Sequence, residues 1–121
     1  MSDEVPALEP QVGWICIDCV EPEALARWWS RLIGGDVEVD RDGDVVLHAQ
    51  PLPLLFLRVP ERKAVKNRLH VDIRSTDYEA AVRQAVAIGA QPAEDVYTGD
   101  RWQVLRDPEG NEFCILRPRN D

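Results

Sequence analysis

His70, Asp72 and Arg74 stand two residues apart in the segment Leu69 to Arg74, LHVDIR. In an extended chain, residues two apart share a face, so these three polar side chains project together. Leu69, Val71 and Ile73 then take the opposite, core-facing side. A histidine beside an aspartate can act as a general base near neutral pH. The same polar row is also what a solvated sheet face presents. Val12 to Cys19, VGWICIDC, repeats the alternation. Ile15, Ile17 and Cys19 take the core side, and Trp14, Cys16 and Asp18 face the same hollow as the polar row. Cys16 and Cys19 form a C-x-x-C only on paper, because residues three apart on a strand point to opposite faces. A redox pair would also need its first cysteine at a helix N-terminus. His48 has no evident partner and reads as exposed. No Ser-His-Asp arrangement, phosphate loop or dinucleotide fingerprint is present.

These residues need elements to hold them. Val12 to Cys19 reads as a strand. Glu21 and Pro22 open a helix whose apolar face carries Ala24, Leu25, Trp28, Trp29 and Leu32, and Gly34-Gly35 ends it. Trp28 and Trp29 are assigned to the core. Asp36 to Asp40, Val45 to His48 and Pro53 to Val59 read as three strands. Residues 61–67, with Arg62, Lys63 and Lys66, carry no apolar period and read as a solvated linker. The pattern then restarts: a strand from Arg68 to Arg74, and a helix capped by Asp77 and stopped by Gly89. Short strands follow over Gln91 to Val96, Trp102 to Arg106 and Glu112 to Leu116, with a turn at Asp107-Pro108-Glu109-Gly110. Both halves thus run β-α-β-β-β. The glycines that end the two helices lie 55 positions apart, and LLFLRVP aligns without gaps to EFCILRP at an offset of 58. This is an internal repeat of nearly half the chain. The expected organisation is a short mobile leader at 1–11 and a single domain at 12–118, made of modules 12–60 and 68–118 joined by the linker.

Composition bounds the function. Among 121 residues, 22 Asp and Glu outnumber 14 Lys and Arg, for a net charge of −8. Such a field repels nucleic-acid backbones and anionic membranes, so neither is an expected partner. No apolar run approaches a membrane span, and the acidic start MSDEVPALEP lacks the basic-then-apolar pattern of an export signal. Three cysteines without an export signal are expected as free thiols in the cytoplasm.

The Trp28-Trp29 helix ending in Leu32-Ile33-Gly34-Gly35, the strand Leu69-His70-Val71-Asp72-Ile73, Ala90 after Gly89, and DPEGNEF at Asp107 to Phe113 together resemble the vicinal oxygen chelate superfamily of glyoxalase I, bleomycin-resistance proteins and extradiol dioxygenases. The likeness spans Val12 to Pro118 and is greatest to the small glyoxalase-like members. It implies an α+β fold in which two paired βαβββ modules form a cupped eight-stranded mixed sheet, with helices on the convex face and a ligand in the hollow. It also implies a homodimer. Metal-dependent members carry four ligands, which map here to Trp14, Phe56, His70 and Cys114. Only His70 is a usual ligand, and Cys114 stands where a glutamate is common. Asp72 lies about 7 Å along the strand from His70, which makes a shared ion awkward. No metal or other cofactor is therefore expected, nor glyoxalase I or dioxygenase chemistry.

The resulting expectation is a glyoxalase-like domain that binds a small organic molecule in the cup without a metal. Its binding residues are Trp14, Cys16, Asp18, Phe56, His70, Asp72, Arg74, Trp102 and Cys114. One alternative is a metal-independent lyase, isomerase or dehydratase using His70 with Asp72 or Arg74. Another is a non-catalytic dimerisation or interaction domain.

Overall fold

The computed structural model describes residues 10–118; nearly all of the expected leader lies outside them. The chain runs β1 (Ile15–Cys19), α1 (Pro22–Ile33), β2 (Val37–Val39), β3 (Val45–Leu47), β4 (Leu54–Arg58), β5 (Val71–Arg74), α2 (Tyr78–Ala87), β6 (Gln91–Pro92), β7 (Trp102–Arg106) and β8 (Glu112–Leu116). This is the β-α-β-β-β order twice. The eight strands form two hydrogen-bonded sheets of four, β1-β4-β3-β2 and β5-β8-β7-β6. In each sheet the first strand pairs parallel to the last and the rest are antiparallel. β1 and β5 are therefore both edge strands, and Ile15 and Val71 line one cleft between them. β6 is shorter than its sequence suggests. Pro92 has no N–H to donate, and Ala93 instead leads into a turn that accepts from Val96.

Asp77 caps α2 by accepting from the Ala80 N–H at 3.0 Å. The α1 cap comes from the other module: the Glu109 carboxylate accepts the backbone N–H groups of Val20 at 2.7 Å and Glu21 at 2.8 Å. A negative charge there also complements the helix dipole. α1 buries Leu25, Ala26, Trp28 and Trp29, whereas Ala24 is exposed, so the buried face is turned slightly from the expected one. Trp28 and Trp29 both meet Phe113 of β8 edge-on, with centroids at 5.9 and 4.9 Å. The main core thus draws on both modules, from Phe56 and Leu54 of β4 to Phe113 and Ile115 of β8. No helix among the described residues is long and apolar enough to cross a membrane.

Candidate functional site

The second sheet carries a separate apolar cluster on the face away from the main core: Ala93, Val104 and Cys114, with Val96, Tyr97, Trp102 and Leu116 packed against them. Register explains it. β7 and β8 pair Trp102 with Leu116, Val104 with Cys114 and Arg106 with Glu112, and β5 sets Asp72 opposite Cys114. Those residues all fall on one face, while Leu105, Phe113 and Ile115 enter the main core from the other. The result is a cavity of about 450 Å³ lined by Lys66, His70, Asp72, Val96, Tyr97, Trp102, Val104, Glu112, Cys114 and Leu116.

One wall is aromatic. Tyr97 and Trp102 stack with centroids 4.2 Å apart and planes within 13°. Gly99, in the loop between them, passes so close to the Tyr97 ring that a Cβ there would collide with it. The opposite end is polar. His70 Nε2 lies 3.2 Å from Asp72 Oδ1. The Cys114 thiol lies within 4.8 Å of the same carboxylate, and burial, reinforced by the Asp72 charge, pushes it up to about 11. Cys114 is therefore a protonated donor at neutral pH, not a thiolate.

The rim is fixed by Glu112, which is almost fully buried. It accepts from Asn67 N at 2.9 Å and Lys63 Nζ at 3.0 Å, and its other ion-pair partner is Arg106 Nε at 3.2 Å. Burial alone would raise its carboxyl, but these donors hold it down at about 2. The segment 61–67 is thus not a freely solvated linker. It is strapped to β8 through Lys63 and Asn67, and Lys66 reaches the cavity between those anchors.

Of the expected site residues, the fold gathers His70, Asp72, Trp102 and Cys114 in this cavity. Cys16 and Asp18 line the adjoining cleft between β1 and β5, which also touches His70. Trp14 is about half exposed outside the cavity. Arg74 donates to the Arg117 carbonyl at 2.9 Å and lies outside this cavity, but it lines a second groove along β5 that also touches His70 and Asp72. Phe56 does not line a hollow at all: it is completely buried in the main core. The gapless alignment that paired it with Cys114 is one residue out of register. Leu54 and Phe56 face the core from β4 as Phe113 and Ile115 do from β8, so Leu55 occupies the place equivalent to Cys114. A one-residue slip reverses every side chain on a strand. Tyr97, Lys66 and Glu112 were missed. Glu112 could have been found by strand parity with Cys114 and Leu116. Lys66 had no such signal, because its position depends on the strap.

The four positions that carry the metal in metal-dependent relatives fit an ion poorly: Trp14 and Leu55 offer no donor. His70, Asp72 and Cys114 do bring three donor atoms within 4.8 Å of one another, so Asp72 is nearer His70 than strand rise alone suggests. Of these three, only His70 and Cys114 stand at the family's ligand positions, and His70 and Asp72 are both exposed.

The model of the glyoxalase-like domain family matches residues 14–116. The chain belongs to this family. No curated protein matches it. Solved structures place the glyoxalase-like fold beyond doubt of topology. A glyoxalase/bleomycin resistance protein/dioxygenase from Nocardioides has a TM-score of 0.72 at 13% identity, covering 93% of this chain and 86% of that one. A family enzyme of the same description from Burkholderia phytofirmans gives 0.71 at 17%, covering 88% and 98%. The fosfomycin resistance protein FosX from Listeria monocytogenes, as an E126Q mutant complexed with Mn(II) and dihydroxypropylphosphonic acid, gives 0.74 at 7%, covering 90% of each chain. At these identities the glyoxalase-like chain shares the fold with them, and its chemistry must be read from its own residues.

Proposed function

We propose that this glyoxalase-like domain binds a small planar organic molecule in the hollow of its second module, without a metal. The observation that carries the reading is the stacked Tyr97–Trp102 pair forming one wall of a 450 Å³ cavity, opposite the polar group of His70, Asp72 and Cys114. The volume is in the usual range for small-molecule sites, and an apolar wall facing a few fixed polar groups is their usual make-up. The aromatic wall offers a flat face for a ring, and His70 and the Cys114–Asp72 pair supply hydrogen bonds that orient it. The test is calorimetric titration of the full chain with naphthamide as a neutral planar probe. Wild type is expected to bind, and Trp102→Ala to bind at least roughly tenfold more weakly. No binding, or equal binding by the variant, overturns the reading.

The 3.2 Å approach of His70 to Asp72 favours a second reading, a lyase, isomerase or dehydratase with His70 as general base oriented by Asp72. Arg74 remains an alternative partner, since it lines with His70 and Asp72 a second groove along β5. A His70→Ala variant with full turnover of an identified substrate would exclude this role. We further propose a homodimer. Val12, Trp14, Ile15 and Leu69 are large exposed apolar residues, and the last two border the cleft between the edge strands. A strictly monomeric sedimentation profile at micromolar concentration would count against it, and loss of both dimer and ligand binding would favour neither role. Three unpaired cysteines support a reducing, cytoplasmic setting.

A further inference from the structure

Four ionisable groups with a role in ligand charge line the cavity: Lys66, His70, Asp72 and Glu112. Glu112 is spent on Lys63, Arg106 and the Asn67 N–H. Asp72 faces His70 and the Cys114 thiol. Lys66 is different. Among the described residues it has no carboxylate partner, and its one hydrogen bond is to the carbonyl of its own neighbour Asn67, at a long 3.4 Å. It is also held in place. Lys63 is tied to Glu112 on one side, and on the other Asn67 bonds both Glu112 through its backbone and Asn111 through its side chain, at 3.1 Å. The strap therefore presents one uncompensated cation at the mouth of a cavity whose carboxylates are already engaged.

We infer that the ligand is a planar aromatic anion, its ring against the Tyr97–Trp102 wall and its acidic group at Lys66. This rests on the reading of the hollow as a small-molecule site and adds the sign and place of the ligand's charge. The net charge of −8 repels an anion at long range, but that field is screened within about 8 Å at physiological salt, whereas a direct contact with Lys66 acts inside that distance. A lysine ammonium is a compact point charge on a flexible stem, suited to a carboxylate or phenolate and indifferent to its exact orientation. The competing arrangement, a cation drawn to Asp72 under the aromatic wall, must displace His70, whose Nε2 already lies 3.2 Å from that carboxylate.

Calorimetric titrations of the full chain with three probes of one ring system separate these outcomes: naphthoate, naphthamide and naphthylmethylammonium. Naphthoate is expected to bind roughly five- to tenfold tighter than naphthamide, and the ammonium probe most weakly. Lys66→Gln should bring naphthoate down to the naphthamide affinity and leave naphthamide unchanged. Arg62→Gln, which removes a neighbouring charge that does not line the cavity, should leave all three unchanged. An ammonium or amide probe that binds as tightly as naphthoate overturns the inference, as does a naphthoate preference that survives Lys66→Gln. If no probe binds, or if Trp102→Ala binds all three like wild type, the small-molecule reading itself fails. The unchanged naphthamide affinity of Lys66→Gln also shows that this variant is folded.

Discussion

Trp29 Nε1 donates a 2.9 Å hydrogen bond to Asp107 Oδ2, joining α1 of the first module to the β7–β8 turn of the second across 78 residues of sequence. Both residues are buried. Asp107 also accepts from the backbone N–H groups of Glu109 and Asn111 and from the Asn111 amide. Two residues further along the same turn, Glu109 caps α1. The DPEGNEF segment that marks the family is here a fastening between the modules. It is not part of the cavity, apart from Glu112.

Removing this fastening should cost more than one ordinary hydrogen bond. Asp107→Ala leaves the Trp29 N–H and the turn donors without an acceptor in a buried setting. A loss of about 2–4 kcal/mol in urea unfolding is expected, since orphaned buried donors carry their full desolvation penalty. Glu109→Ala, which removes a cap nearer the surface, should cost about 1 kcal/mol. Equal effects from the two variants would contradict the assignment.

Acid should release the strap. Glu112 is held at about 2 against an ordinary value of 4.5, because its ionised form has three donors. A lowered folded-state value gives stability that is fully present above about pH 4.5 and is lost as pH falls toward 2. The drop corresponds to on the order of 3 kcal/mol. Glu112→Gln should therefore unfold more easily at neutral pH and show a flatter decline in acid. Unfolding midpoints measured across that range for both proteins would check it; parallel curves would exclude the role.

The three thiols should separate by reactivity. Cys16 is exposed, whereas Cys19 and Cys114 are buried. Burial, assisted by nearby carboxylates, pushes Cys19 up to about 12 and Cys114 up to about 11. Reaction requires a thiolate. A chromogenic disulfide reagent at neutral pH is expected to modify one thiol per chain quickly and the other two only on unfolding. Cys16→Ser should abolish the fast phase.

Metal removal should change little. If the hollow works with only His70 and Cys114 left at the family's ligand positions, protein purified without chelators carries less than one equivalent of bound metal, and dialysis against a chelator leaves naphthamide affinity unchanged. A stoichiometric ion lost on Cys114→Ser would overturn the metal-free reading.

The aromatic wall depends on one glycine. Gly99→Ala places a methyl group against the Tyr97 ring, which must then leave Trp102 or drag the loop with it. Roughly fivefold weaker naphthamide binding is expected, with a smaller effect on thermal stability because the loop is largely exposed. A variant that kept wild-type affinity would show that the stack is dispensable.

Much of this architecture was legible because it follows from short-range rules. The repeat, the two helices and the strand parity of β5 could be read from alternation and punctuation; parity put His70 and Asp72 on one face, and Cys114 joined them only through the family resemblance. Phe56 went astray because Leu54, Leu55, Phe56 and Leu57 form an unbroken apolar run, so neither face of β4 was marked. A repeat aligned by composition then chose the wrong register. Lys63 and Lys66 looked like any basic loop, since their meaning depends on Glu112, which lies 49 residues beyond Lys63. Tyr97 escaped notice because β6 ends at Pro92 and a loop, rather than a strand, carries the ring to Trp102.

The carboxylate of Glu109 on the N-terminus of α1 makes the two modules non-interchangeable. The two modules share one β-α-β-β-β order but depend on each other in opposite senses. The first half supplies the tryptophan helix but cannot finish its own first turn, and the second supplies that finishing group along with the cavity. Neither half could be replaced by a second copy of the other, because the exchange would leave a helix start unpaired on one side and a surplus charge on the other.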